Sequence, residues 1–207
     1  MLSPPFAASD PGVCSIYPCH NSFVGESGSA ELADLAALVR ERNAVEARIA
    51  ALLERPASTG WMGEWIAARV FDIELEPSAN AAGYDGQFTI GALAGKTVNI
   101  KTYTRDERML DMNSPAPCDY YLVLAGPRGV AASARGTVRP FCIERVFLFD
   151  SPRLRRELED QGVKIREATS VRAVHWDAAE IFPRSNNPLM MLSDLQRHQL
   201  AMFCDGQ

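Results

Sequence analysis

Two predicted strands carry the side chains best suited to chemistry. Residues 87–90 and 97–103 alternate as half-buried strands do, and a Gly-Ala-Leu-Ala-Gly segment joins them. A hairpin turn centred on Leu93 of that segment places Asp85 near Lys101, with a register uncertainty of one or two residues. Because side chains alternate along a strand, Asn99 and Lys101 share one face. We therefore expect Asp85, Asn99 and Lys101 to converge in a concave site that solvent reaches.

A carboxylate, a second oxygen donor and a lysine at one sheet edge suit phosphodiester chemistry. Mg²⁺ binds one or two carboxylates and completes its shell with water and substrate phosphate oxygens. A neighbouring ammonium stabilises the charge that develops on the phosphoryl group and orients the attacking water. Glu64, on a helix predicted over residues 61–71, joins this set if that helix packs beside the hairpin. The pattern indicates hydrolysis of a phosphodiester.

The order of these residues resembles the PD-(D/E)xK nuclease superfamily. Glu64, the segment 83–86 (Gly-Tyr-Asp-Gly) and the segment 98–102 (Val-Asn-Ile-Lys-Thr) correspond to its helix acid, its strand-opening aspartate and its (Asp/Glu)-x-Lys motif. The match covers residues 60–125. The chain is also similar to a bacterial family that shares the DG…VNIK pattern.

This resemblance implies a fold, a cofactor and roles for individual residues. The fold is α/β and restriction-endonuclease-like, with a mixed β-sheet flanked by helices. Asp85, Asn99 and Glu64 bind Mg²⁺ or Mn²⁺, and Lys101 acts as the catalytic lysine together with Asp85 and Glu64. The partner implied is nucleic acid, with DNA foremost.

One position departs from the family pattern, because Asn99 stands where an Asp or Glu is usual. An amide oxygen ligates Mg²⁺ without bringing charge, so the metal is held more weakly unless Glu64, Glu74 or Glu76 compensates. The alternative is a catalytically inactive nuclease-fold module that binds DNA or a partner protein. Asn99 favours the module, and retention of the motif aspartate and lysine favours the enzyme.

The rest of the sequence predicts a single α/β domain over residues 30–207. Residues 1–29 are rich in Pro, Gly and Ser without any period, and we expect them to be disordered or poorly ordered. Apolar residues at helical spacing over residues 30–54 predict a long amphipathic helix that serves packing or a homodimer. Beyond the hairpin we expect strands at 119–125 and 141–149 and helices at 152–161 and 192–203. Residues 171–182 are expected to contain a short amphipathic helix with Val174, Ala178 and Ile181 on its apolar side.

Composition limits the partners and the compartment. The 207 residues carry a formal net charge of −5, and residues 1–103 hold 7 Lys and Arg against 12 Asp and Glu. The first half thus has a net charge of −5, which leaves the second half with no net charge. Neither half is a basic domain that binds long nucleic acid by charge alone. No apolar run approaches the roughly 20 residues of a membrane span, and five scattered cysteines suit reduced thiols. We expect a cytoplasmic protein without membrane contact.

His175 suggests a second catalytic hypothesis, with Asp177 and either Ser170 or Cys142 as partners. The sequence has no Gly-x-Ser-x-Gly elbow, and a histidine on a short amphipathic helix more often serves packing. We interpret His175 as structural.

Overall fold

The structure is a computed structural model that describes residues 25–77, 83–112, 118–129, 139–166 and 168–204. Most of the N-terminal segment that the sequence predicts to be disordered, residues 1–24, lies outside the described residues. The chain divides into two compact units, Met1–Val45 and Glu46–Gln207. Among the described residues, no helix is both long enough and apolar enough to cross a bilayer.

Helix α1 extends over Gly25–Leu53 and begins before the predicted start at residue 30. Within the first unit, its leucines are more than half exposed at positions 32, 35 and 38. The helix ends where Glu54 adopts a left-handed φ of 55°. Pro56 marks this end as the sequence predicts, because a proline disfavours helical backbone at the residue before it.

The second unit contains one mixed six-stranded sheet and one small two-stranded sheet. The strands are β1 (Ile73–Leu75), β2 (Gly86–Phe88), β3 (Thr97–Tyr103), β4 (Met109–Leu110), β5 (Tyr120–Ala125), β6 (Arg145–Asp150), β7 (Thr169–Ser170) and β8 (Glu180–Phe182). The large sheet has the order β1-β2-β3-β5-β6-β8. In this large sheet β3 and β5 are parallel, and all other pairs of neighbouring strands are antiparallel. Strand β4 pairs with β7.

Helices cover both faces of the large sheet. They are α2 (Thr59–Val70), α3 (Ser151–Asp160), α4 (Ala173–Ala179) and α5 (Asp194–Ala201). On one face Val98, Ile100 and Leu122 belong to a core shared with α2 and α5. On the other face Tyr121 and Val123 belong to a core shared with α3 and α4. Strand β5 is therefore buried on both faces, as its continuous apolar run predicts.

The sequence does not predict four of the strands. Strands β1, β4, β7 and β8 have only two or three residues each, and a period of two is not recognisable over so short a run. The short helix predicted within residues 171–182 is present as α4, but Ile181, which we expected on its apolar side, does not belong to it. The chain is helical only through Ala179 and continues as strand β8 from Glu180.

Helix α2 lies in close contact with strand β3. A Cβ atom added to Gly63 would lie 1.8 Å from Thr102 Oγ1, so this contact requires glycine. The helix begins at the N-cap Ser58, whose hydroxyl accepts a hydrogen bond from the Trp61 N–H at 3.3 Å. The close contact fixes the height of α2 above the sheet at the turn that carries the predicted site acid.

A buried ion cluster joins the segment after β3 to β6 and β8. Arg145 donates to Asp106 Oδ2 at 2.7 Å and to Glu180 Oε2 at 2.5 Å, and these two carboxylates are 0% and 1% exposed. Burial lowers the pKa of Arg145, but its hydrogen bonds and charge attraction to the two carboxylates raise it above the usual value. One arginine thus holds together three segments that are distant in sequence.

Gly63→Ala tests the close contact between α2 and β3. We expect the free energy of unfolding to fall by about 1–3 kcal/mol, because the added methyl group forces Thr102 or the helix to move. Gly60→Ala is the matched control, since nothing lies within 4 Å of a Cβ at that position of the same helix. Urea denaturation measures both variants. Equal stability of the two variants would show that the contact is not tight.

Candidate active site

The β2–β3 hairpin brings Asp85 opposite Asn99. Gly86 pairs with Val98 and Gln87 pairs with Thr97, and continuing this register places Asp85 across from Asn99. The expected pairing of Asp85 with Lys101 is therefore displaced by two residues, which is the limit of the stated uncertainty.

The loop geometry explains this displacement. The Phe88 N–H donates to Lys96 O at 3.0 Å and the Gly95 N–H donates to Phe88 O at 2.7 Å. These bonds close the loop around Ala92, one residue before the assumed centre at Leu93. Moving the centre of a hairpin by one residue moves each pairing by two.

Asp85 is bound to strand β3 through both its backbone and its side chain. Its N–H donates to Val98 O at 2.9 Å, and its Oδ2 accepts a hydrogen bond from the Ile100 N–H at 2.6 Å. The carboxylate is therefore held at the edge of β3 where β2 begins. On the other side of β2, the Glu76 N–H donates to Asp85 O at 2.9 Å, so one of the two glutamates considered as a substitute acid is a backbone neighbour of Asp85.

Asn99 is buried, with only 7% of its surface exposed. Its amide nitrogen donates to Gly83 O at 3.3 Å, whereas its Oδ1 is buried and has no hydrogen-bond partner among the described residues. An unsatisfied buried carbonyl oxygen costs about 1–3 kcal/mol. The unpartnered atom is also the atom of an asparagine that ligates a cation.

Glu64 lies one residue beyond the close contact of α2 with β3. Its side chain is 22% exposed, and its Oε2 lies 3.6 Å from Arg55 Nη1. Burial raises the pKa of Glu64, the negative charge of Asp85 raises it further, and Arg55 and Lys101 lower it in part. The acid predicted on the helix is thus within electrostatic range of both hairpin residues.

Asp85 and Lys101 complete this electrostatic group. Burial also raises the pKa of Asp85, while the hydrogen bond from the Ile100 N–H and the positive charge of Lys101 lower it. Lys101 is half-buried and acts on both carboxylates, although it forms no ion pair within 4.0 Å with either of them. Side chains from α2, from β3 and from the residue that precedes β2 therefore lie within electrostatic range of one another.

Sequence reasoning did not identify Arg55 as a member of this group. The residue lies in the connection between α1 and α2, nine positions before Glu64, and no periodicity links the two. Only the turn between the helices brings the guanidinium to the carboxylate.

The donor atoms of the group fit a hard cation. Two partly desolvated carboxylates with raised pKa values repel each other, and the unpartnered Asn99 Oδ1 adds a neutral oxygen. Mg²⁺ accepts such a set because it retains several water ligands. Among the described residues, no three His, Cys, Asp or Glu side chains come close enough to hold a metal ion.

Two cavities of about 370 Å³ each lie elsewhere on the second unit. The first is lined by side chains that include Arg153, Glu157 and His175, and the second by side chains that include Arg145 and Arg184. The four predicted site residues line neither cavity. The expected concave cleft does not coincide with these two cavities, and the candidate site lies instead at the edge of β3.

His175 has a different neighbour from those proposed in the triad hypothesis. Its Nδ1 lies 3.2 Å from Glu157 Oε2, whereas Asp177 lies 4.0 Å from Arg108. The acid beside the imidazole therefore comes from α3 and not from the adjacent residue in sequence.

The chain matches none of the protein-family models and none of the curated proteins with which it was compared.

Glu64→Gln tests whether the site carries an electrostatic cost. In the folded state Glu64 binds a proton more readily than in the unfolded chain, where the pKa of a glutamate is about 4.3. The wild-type protein therefore loses stability as the pH rises from about 4.3 through the raised pKa of the folded state. We expect the variant to be more stable than the wild type at neutral pH. The difference should vanish below about pH 4.

Urea denaturation at the two pH values measures this difference. Glu74→Gln, at an exposed position of β1, is the control for the loss of a carboxylate alone. A Glu64→Gln variant that is less stable than the wild type at neutral pH would mean that the ion pair with Arg55 outweighs the cost of burial.

Proposed function

We propose that the chain is a metal-dependent nuclease of the PD-(D/E)xK type, which hydrolyses phosphodiester bonds of nucleic acid, with DNA foremost. The observation that carries the proposal is the position of Asp85, opposite Asn99 and held to β3 by the Ile100 N–H at 2.6 Å, with Glu64 and Lys101 near enough to act on the pKa values of this site. The resemblance in sequence requires Glu64, Asp85 and Lys101 to meet, and they come from three different parts of the chain. The order of elements, a helix followed by antiparallel β1, β2 and β3 and then by β5 parallel to β3, supports a restriction-endonuclease-like fold.

Asp85, Glu64 and the Oδ1 atom of Asn99 would hold Mg²⁺ or Mn²⁺. A bound ion of this kind polarises a phosphodiester and lowers the pKa of a water molecule. The protein contributes the fixed position of one ligand, since the Ile100 N–H orients the Asp85 carboxylate. It also contributes partial burial, which strengthens the attraction of both carboxylates for a cation.

Lys101 has two roles in this proposal. It lowers the pKa of both carboxylates and so favours the ionised forms that bind a cation. Because it is not engaged in an ion pair within 4.0 Å of either carboxylate, its ammonium group is available to a phosphate oxygen. There it stabilises the negative charge that develops during hydrolysis.

A second candidate is the non-catalytic module, and the contacts of Asn99 favour it. The Asn99 amide nitrogen donates to Gly83 O, and the Asp85 carboxylate accepts from Ile100. Both side chains therefore stabilise the hairpin without any metal. In this case Lys101 contributes only positive charge to a surface that binds nucleic acid or protein.

Lys101→Ala distinguishes the enzyme from the module. We expect the rate of Mg²⁺- or Mn²⁺-dependent cleavage to fall by at least about 100-fold, because the variant lacks the charge that stabilises the transition state. Gel assays with supercoiled plasmid, single-stranded DNA and RNA measure the rate. Lys96→Ala is the matched control, since it removes the same charge from a half-exposed side chain that pairs with Asp119 at 3.3 Å. Equal loss in both variants would contradict the assigned role of Lys101.

Asn99→Asp restores the acid that the family usually carries. The new carboxylate faces Gly83 O, which repels it, but two unit charges 4 Å apart attract by about 4 kcal/mol at an effective dielectric of 20, and a divalent ion attracts more strongly. We expect Mg²⁺ to bind about tenfold more tightly in calorimetric titration and cleavage to become faster.

The two measurements on Asn99→Asp separate the two functions. Tighter Mg²⁺ binding with faster cleavage supports the nuclease. Tighter Mg²⁺ binding without cleavage of any DNA or RNA, by the wild type or by the variant, contradicts the nuclease and supports the module.

A further inference from the structure

Cys142 and Cys204 lie side by side, although they are 62 positions apart in sequence. Cys142 precedes β6, and Cys204 follows α5. Their Sγ atoms are 2.6 Å apart, and a bonded pair of sulfur atoms is separated by about 2.05 Å. Only a small movement therefore separates the two thiols from a covalent bond.

Contacts on both sides of Cys142 hold the two segments together independently of sulfur. The Ile143 N–H donates to Phe203 O at 3.1 Å. The rings of Phe141 and Phe203 pack edge to face, with centroids 6.3 Å apart. These contacts hold the two backbone segments near each other before any bond forms, and a disulfide requires cysteines whose backbones are already close.

The pair is also accessible to small oxidants. Cys142 and Cys204 are half-buried, whereas Cys118 is buried. Burial raises the pKa of the Cys118 thiol, and a thiol with a raised pKa provides little of the reactive thiolate. Among the cysteines that the structure describes, oxidation is therefore directed to one pair.

We propose that Cys142 and Cys204 form a reversible disulfide that links the C-terminal segment to the start of β6. The oxidant is a low-molecular-weight disulfide such as oxidised glutathione. One cysteine thiolate attacks a sulfur of the oxidant and releases one glutathione thiol, and the second cysteine thiolate then attacks the mixed disulfide and releases the other. The protein loses two hydrogen atoms, and one oxidised glutathione becomes two reduced molecules.

The bond would secure the face of the sheet that carries α2. Helix α5 lies between the two cysteines in sequence, and its Gln196 side chain donates to Val70 O at the end of α2 at 2.8 Å. Leu200 of α5 is fully buried in the same core as α2. A covalent link after α5 therefore stabilises the support of the helix that carries Glu64.

The test compares protein equilibrated in reduced and in oxidised glutathione. Trypsin should release residues 136–145 and 198–207 as one cross-linked species that is lighter by two hydrogen atoms than the two separate peptides. We expect the Tm of the oxidised protein to rise by roughly 10 °C, because a closed loop of this length restricts the unfolded chain. Cys204→Ser and Cys142→Ser should each abolish both effects, and circular dichroism confirms that these variants fold.

Two results would overturn the proposal. One is that Cys142 and Cys204 both remain titratable thiols in oxidised glutathione. The other is that oxidation links Cys14 to Cys19 or joins two chains and leaves the pair reduced. Neither result depends on nucleic acid cleavage, so the outcome is independent of the proposed function.

Discussion

The candidate site depends on one steric constraint, the contact of Gly63 with Thr102. At this position helix α2 approaches strand β3 so closely that no side chain fits between them. Glu64 is the next residue along the helix, and its pKa is raised by the charge of Asp85 and lowered by that of Lys101. Because the contact sets both the height and the rotation of α2, it determines where the Glu64 carboxylate lies above the edge of the sheet.

The site shows features that stability alone does not favour. Burial raises the pKa values of Glu64 and Asp85, which means that each charge is held at a cost. Asn99 adds a buried oxygen without a partner in the described structure. Unfavourable groups that cluster at one place are expected where a protein has a function to perform, since stability and activity conflict there. In the proposed nuclease, the metal ion would compensate the two carboxylates and the amide oxygen.

The buried cluster of Arg145, Asp106 and Glu180 is a contrasting use of charge. Here both carboxylates are bound directly by the guanidinium at 2.5 and 2.7 Å, so a cation from the protein itself balances their charge. Such a cluster is costly to break, because the loss of one partner leaves buried charge behind. It connects the segment that follows β3 to β6 and β8, and so supports the sheet on the side away from β1 and β2.

The sequence by itself determined the local features of this protein. The alternation in β3, the continuous apolar run of β5, the location of α2 and the spacing of Asn99 and Lys101 follow from side-chain patterns and chain-breaking residues, which act over a few positions. The pairing of Asp85 required the hydrogen bonds that close the loop around Ala92. The contacts of Arg55 with Glu64, of Arg145 with its two acids and of Cys142 with Cys204 were decided by the tertiary structure. These partners are far apart in sequence or separated by a turn, and only the packing of helices on a twisted sheet brings them together.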